Sequence, residues 1–319
     1  MTAEFPAFDP RARPAGLRFS EWNAPDGWAH RTYSWAQDKG VARQRGSLLY
    51  QGGRADFAEK HLESLYDWHR AGWHLSGFDW RGQGGSGRLL ADPHIGHLPS
   101  LDPLVDDLAA FVVRWQAETP PPHVIVAHSM GAHIALRMLA ERDCPIDAGV
   151  LLAPMLGINT APFPEWFARV VVAGMRLAGR GARAAWREGQ GGASDRMRQL
   201  RLTSSIERFE HGRWWKRRHP ELTTGGPSWD WIAAALGSQC ALDQDGALEA
   251  ISTPLLILAT PTDRLVSSAG IARAAERLRD ARLRMFPGAA HDLLREADPI
   301  RSAVMAEIAA FLDERAPAR

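Results

Sequence analysis

Val124-Ile125-Val126-Ala127-His128-Ser129-Met130-Gly131 is the stretch on which the reading of this chain turns. His123 to Val126 is rich in β-branched side chains and lacks polar alternation, the pattern of a strand buried on both faces. After Gly131 the pattern changes. Ala132, Ala135, Leu136, Met138, Leu139 and Ala140 are helix formers with apolar positions three and four apart. The chain is therefore expected to pass directly from strand to helix, with Ser129 in the turn. Ala127 and Gly131 are small enough to let the neighbouring strand and helix approach a serine held in a strained backbone, as a nucleophile elbow requires. The first small residue is Ala rather than the more usual Gly, a mild change in size.

The flanking sequence alternates between strand and helix signals. Leu17 to Trp22 and Arg31 to Trp35 read as short strands around the turn signal Asn23-Ala24-Pro25-Asp26-Gly27, and Ser47 to Tyr50 as a third strand. Phe57, His61, Leu62, Leu65, Tyr66 and Trp68 mark a helix to about Arg70, followed by a strand from Trp73 to Asp79. Leu101 to Trp115 has helical spacing and is closed by Pro120-Pro121-Pro122. Beyond the elbow, Gly149 to Pro154, Pro254 to Thr260 and Arg282 to Phe286 read as strands, with helices near Ser268 to Arg279 and Ile300 to Glu314. Such alternation predicts an α/β fold with a mostly parallel central sheet, helices on both faces and ligands at the carboxyl ends of the strands.

From Leu156 to Cys240 the alternation fails. This stretch reads as helical and holds thirteen Lys and Arg against seven Asp and Glu. The expected organisation is a core of residues 1–155 and 241–319 with residues 156–240 inserted as a helical cap. Arg169, Arg176, Arg180, Arg183 and Arg187 have the spacing of one helix face, beside Trp166, Phe167, Val170, Val171 and Met175. That face is expected either to be solvated or to rest on an anionic lipid surface or guide an amphiphile.

Composition narrows the function. With 319 residues the chain has room for a large core, and a net charge of +1 gives no reason to expect nucleic acid as a partner. Cys144 and Cys240 form no C-x-x-C pair, so neither a disulfide framework nor a thiolate zinc site is expected. Met1 to Gly16 has no apolar core of a secretion signal, and no run reaches the ~20 apolar residues that span a bilayer, so a cytoplasmic protein is expected. Asp92, His94 and His97 lie among Pro93 and Gly96 without an H-E-x-x-H pattern, and Gly82-Gln83-Gly84 lacks a following Lys-Ser/Thr. Both read as structural loops, with no metal expected.

A serine hydroxyl needs a general base and an acid that orients it. Of the histidines, His291 is best placed, just after the last predicted strand, and Asp263 follows the strand before it. Taken singly, Ser129 reads as an N-cap, Asp263 as a turn former and His291 as a solvated loop residue. Nucleophile, acid and base in that order, each at a strand's carboxyl end, favour catalysis. Asp292, next to the histidine, should point elsewhere. The oxyanion of a tetrahedral intermediate should meet the Met130 N–H and one from the Gly52-Gly53 turn, with Gly53 favoured.

Ala127 to Gly131, Asp79-Trp80-Arg81-Gly82-Gln83-Gly84-Gly85-Ser86-Gly87-Arg88-Leu89-Leu90 and Asp92 to His97 together resemble the bacterial lysophospholipases and monoacylglycerol lipases. Leu202 to Arg208 and Gly225-Gly226-Pro227-Ser228-Trp229 are similar to the lysophospholipase branch, and the likeness runs from about Leu48 to Leu312. It implies an α/β-hydrolase fold with a helical cap, no cofactor, and hydrolysis of a single acyl ester on an amphiphile. By position it gives Ser129 as nucleophile, Asp263 as acid and His291 as base. The chain departs from the monoacylglycerol lipase pattern at Gln51, where that family has a His before the oxyanion glycine. Two alternatives stay open: a small-ester, lactone or perhydrolase activity on the same residues, and a non-catalytic protein holding a ligand under the cap. Dehalogenase and epoxide hydrolase are disfavoured, because both need a carboxylate where Ser129 stands.

Overall fold

A computed structural model describes residues 8–37, 44–160, 162–186 and 192–318. The chain opens with an antiparallel hairpin, β1 (Arg18–Asn23) and β2 (Ala29–Trp35), whose turn uses Gly27 at φ +88°. Next come β3 (Gly46–Gln51), α1 (Leu62–Arg70), β4 (Trp73–Phe78), a two-residue β5 (Ile95–Gly96) and α2 (Asp102–Glu118). The elbow region supplies β6 (His123–His128) and α3 (Met130–Glu141), and β7 (Ala148–Leu152) follows. Four helices come next: α4 (Glu165–Leu177), α5 (Gly192–Leu202), α6 (Ile206–Arg218) and, after the short β8 (Gly226–Pro227), α7 (Trp229–Asp243). The alternation then resumes with β9 (Leu255–Ala259), α8 (Ser268–Arg277), β10 (Ala281–Met285) and α9 (Asp298–Arg315).

The large sheet has eight strands in the order β1-β2-β4-β3-β6-β7-β9-β10. From β4 to β10 every neighbour is parallel, while β2 runs antiparallel to both β1 and β4. The central strands are continuously apolar because both faces are covered. Leu49, Ile125, Ala127, Leu151 and Ile257 join the core beneath α2, α3 and α8, whereas Leu48, Tyr50, Val124, Val126, Val150 and Leu256 join the one beneath α1 and α9. At strand period two, each face receives every second side chain.

The stretch between β7 and β9 departs from its expected pattern in two respects. The single basic face does not form, because α4 ends at Leu177, where Gly179 at φ +68° and the Arg180 N–H to Met175 carbonyl bond close the helix. Arg180 and Arg183 therefore lie beyond α4, and Arg187 falls outside the described residues. Arg169 is paired with Glu165 and Arg176 with Asp230. Sequence patterning also missed the two-stranded sheet of β5 and β8, which ties the loop after β4 to the segment before α7. Among the described residues no helix is long and apolar enough to cross a membrane.

Candidate active site

Ser129 stands between β6 and α3 with φ 51° and ψ −114°, a strained conformation for a residue with a Cβ. Its backbone is held from both sides: its N–H donates to the Leu152 carbonyl, and its carbonyl accepts from the His133 and Met155 amides. The small neighbours are needed. A Cβ on Gly131 would stand 2.3 Å from the Gly52 carbonyl oxygen, so the start of α3 packs directly on the turn after β3.

His291 follows β10 and Asp263 follows β9. His291 Nε2 lies 2.8 Å from Ser129 Oγ, and His291 Nδ1 lies 2.7 Å from Asp263 Oδ2. Since the carboxylate only accepts, the ring proton belongs on Nδ1, which leaves the Nε2 lone pair facing the serine hydroxyl. Asp263 Oδ1 accepts from the Leu265 and Val266 amides. Burial opposes the charge of Asp263, but His291 and these amides outweigh it and hold the carboxyl below its usual range. Such an arrangement can deprotonate an attacking hydroxyl and stabilise the resulting imidazolium.

The Gly53 amide, expected as an oxyanion donor, is committed instead to Asp56 Oδ2 at 2.8 Å. That expectation is corrected: the turn closes on its own carboxylate. What Gly53 supplies is room, since a Cβ there would lie 3.0 Å from Ser129 Cβ and 3.1 Å from His128 Nδ1. The rest of the turn is also clamped, with Trp80 Nε1 donating to the Gly52 carbonyl and the Ala55 amide donating to Gln83 Oε1. Met130, the other expected donor, is the first residue of α3 and fully buried.

The glycine-rich loop wraps the carboxylate of Asp79. Gly85 N–H and Arg31 reach Asp79 Oδ2, and a Cβ on Gly84 would collide with the same carboxylate. In the Asp92 to His97 segment, Asp92 caps the His94 amide and His97 Nδ1 lies 3.0 Å from Ser228 Oγ.

Behind the site lies a buried ionic cluster that no sequence motif marks. Lys60 Nζ lies 2.5 Å from Asp56 Oδ1 and 2.9 Å from Asp292 Oδ2. Asp292 thus turns away from the Ser129 side, as expected, and holds the base loop to the segment before α1. Asp56 also receives His61 Nε2 at 3.2 Å and His128 Nδ1 at 3.4 Å. Burial disfavours both carboxylates, yet Lys60 and the neighbouring histidines keep each well below the usual range. The spacing of Asp56 and Lys60, four apart just after a Gly-Gly turn, is the signal that could have pointed to the cluster. Glu296 anchors the same loop from the other side, accepting from the amides of Ala290 and Ser204. A cavity of about 870 Å³ opens beside Asp263, lined by Leu156, Phe163, Leu242, Leu248 and Val266, but Ser129 and His291 do not line it.

Residues 42–298 match the family model described as "Serine aminopeptidase, S33" (Hydrolase_4). The chain belongs to this hydrolase family. Lysophospholipase L2 of Escherichia coli strain K12 is 34% identical over 280 residues, covering 82% of this chain and 78% of that one. A soluble variant of monoglyceride lipase from Saccharomyces cerevisiae, solved with a substrate analog, superposes with a TM-score of 0.72 at 16% identity over 98% of this chain and 99% of that one. Monoacylglycerol lipase of Paleococcus ferrophilus gives a TM-score of 0.66 at 18% identity over 94% of this chain and 99% of that one. At such identities the two structures speak for the α/β-hydrolase fold, which this family member shares.

Proposed function

We propose that this carboxylic ester hydrolase cleaves a lipid-like monoacyl ester, a lysophospholipid or a monoacylglycerol, through an acyl-enzyme on Ser129. Ser129 Oγ attacks the acyl carbonyl carbon as its proton passes to His291 Nε2, and Asp263 holds the tautomer. The Met130 N–H faces the oxyanion, His291 returns the proton to the leaving alcohol, and water repeats the sequence to release the acid. The observation that carries this reading is the hydrogen-bonded line Ser129–His291–Asp263 at a strained elbow. The lysophospholipase relative favours the amphiphilic substrate. In this reading residues 156–240 form the cap over the site.

The cap would also meet lipid, through an apolar rather than a basic face. Phe163, Trp166, Val170 and Leu177 are 57%, 65%, 61% and 89% exposed, with Phe167 and Val171 between them, while Val172 alone in α4 is buried. The spacing sets one apolar stripe outward along the helix. Arg180 and Arg183 are exposed beyond its C-terminal end, and among the described residues neither makes an ion pair. An apolar stripe continued by uncompensated cations suits an anionic lipid surface.

Two measurements test the reading. A fluorophosphonate should label Ser129; absence of that adduct favours a ligand-binding protein without catalysis. Across lysophospholipids, monoacylglycerols and short-chain esters, kcat/KM should be highest for the long single-chain amphiphiles, and a preference for short esters or lactones overturns the substrate assignment.

A further inference from the structure

His128, directly before Ser129, is 4% exposed, and both its ring nitrogens face oxygen. Nδ1 lies 3.4 Å from Asp56 Oδ2, and Nε2 lies 3.3 Å from the main-chain carbonyl oxygen of His291. Neither partner can donate. Asp56 is ionised, already accepting from the Gly53 amide and Lys60, and a peptide carbonyl has no proton. A neutral imidazole carries one N–H, so one of its nitrogens would present a lone pair to an oxygen lone pair in a buried site.

Nearby His61 provides an internal contrast. It also touches Asp56, but its Nδ1 faces the Tyr50 hydroxyl at 3.0 Å, a group that can donate. A neutral ring there can accept from Tyr50 at Nδ1 and keep its one proton on Nε2, on the side of Asp56, and burial pushes the His61 pKa down despite Asp56.

We infer that His128 is a permanent imidazolium and a positioning residue, tying the backbone of His291 to the Asp56 carboxylate that also holds the turn beneath Ser129. This rests on the proposed roles of Ser129 and His291. The doubly protonated ring bridges the elbow, the turn after β3 and the loop after β10. The titratable and charged groups around it are Asp56, Lys60 and the neutral His61 before α1, and His291, Asp292 and Arg295 after β10. Burial works against the cation, but Asp56 and Asp292 prevail and raise the His128 pKa above its ordinary value.

The His128 carbon framework contributes a contact as well as a charge: its ring centroid lies 4.9 Å from that of His291. Losing the bridge should therefore let the base shift relative to Ser129 without changing the substrate pocket.

The test is nitrogen-15 NMR of the intact, histidine-labelled protein between pH 6 and pH 9, with His128→Gln used to assign the ring. His128 should show two protonated nitrogens throughout this range while His61 shows one. His128→Gln should lower kcat at least tenfold with KM unchanged and slow fluorophosphonate labelling of Ser129 in proportion. A His128 ring with one N–H at pH 7, or one titrating in the ordinary histidine range, overturns the inference. So does a doubly protonated ring whose replacement leaves kcat intact. If His128→Gln does not fold, Asp56→Asn supplies the assignment through loss of the His128 second N–H, and the wild-type spectrum still decides the protonation state. Absence of any Ser129 adduct in the wild type, with an imidazolium present, would count against the proposed hydrolase instead.

Discussion

His291 Nε2 stands 2.8 Å from Ser129 Oγ although 162 residues separate them in the chain. The parallel sheet makes the meeting: β6 and β10 run in the same direction, so the segments after them emerge at the same edge. Ser129→Ala removes the nucleophile with the elbow backbone otherwise unchanged. Ester hydrolysis should fall by about 10⁴-fold or more while the melting temperature stays close to wild type. Steady-state kinetics beside a thermal melt checks both; substantial residual turnover would remove Ser129 from the mechanism.

Gly53→Ala tests the turn differently. The added Cβ would press on Ser129 Cβ at 3.0 Å and on His128 Nδ1 at 3.1 Å, and a shift of a few tenths of an ångström is enough to misalign the serine. The expected result is a kcat loss of roughly 10- to 100-fold with KM nearly constant. Unchanged kcat in a stopped assay would mean that the elbow absorbs the methyl group.

The fold was legible in the chain for a physical reason: strands covered on both faces must be continuously apolar, and β6, β7 and β9 carry that signature. Ser129, Asp263 and His291 were legible because each follows such a strand, so sequence position reports the sheet edge. The Gly53 donor was misread, since the identity of Asp56 three residues on is visible but its return to the Gly53 amide is not. The arginine face failed for a related reason. Periodicity runs through Gly174 and Gly179, but a left-handed glycine stops the helix whatever the spacing of the arginines beyond it. The exposed stripe on α4 could not be separated from an ordinary core-facing stripe, because both have the same spacing.

Lys60→Met leaves Asp56 and Asp292 buried without their shared cation. Breaking such a cluster should cost about 3–5 kcal/mol of stability. Both carboxyls are held low in the folded chain, so their contribution is present above the usual carboxylate range and is lost as pH falls below that range towards their folded values. The penalty of the variant should therefore be larger at pH 7 than at pH 3, as read by urea denaturation. A pH-independent penalty would mean that Lys60 acts through packing of its aliphatic stem.

His133 gives a stability prediction of its own. It is fully buried on α3, with Nε2 at 2.7 Å from Ser238 Oγ on α7, and burial next to Arg137 lowers its pKa to about 3. Above the ordinary histidine pKa neither state is protonated, and the full stability is present. As pH falls below about 6.5 the unfolded chain takes a proton that the folded chain refuses, and stability drops by about 1.4 kcal/mol per pH unit towards pH 3. His133→Gln should flatten that part of the profile relative to wild type, measured by denaturation at pH 7, 6, 5 and 4. Parallel profiles would show that His133 is accommodated in its charged form.

The stripe on α4 yields a prediction about membranes. Each large apolar side chain moved from water into the acyl region contributes about 1.5–3 kcal/mol, so Trp166, Val170 and Leu177 together could hold the protein on a surface reversibly. Trp166→Ser with Leu177→Ser should lower co-sedimentation with vesicles containing anionic lipid by at least tenfold. Arg180→Gln with Arg183→Gln should weaken binding to anionic vesicles and leave the weaker binding to neutral ones unchanged. All four positions lie away from Ser129 in sequence and on the outer side of α4 or beyond its end, so turnover of a soluble short-chain ester should persist in both double variants. Equal binding to neutral and anionic vesicles in the wild type would remove the lipid charge from the account. Concentration-dependent dimers abolished by Trp166→Ser, without vesicle binding, would instead assign the stripe to a second copy of the chain.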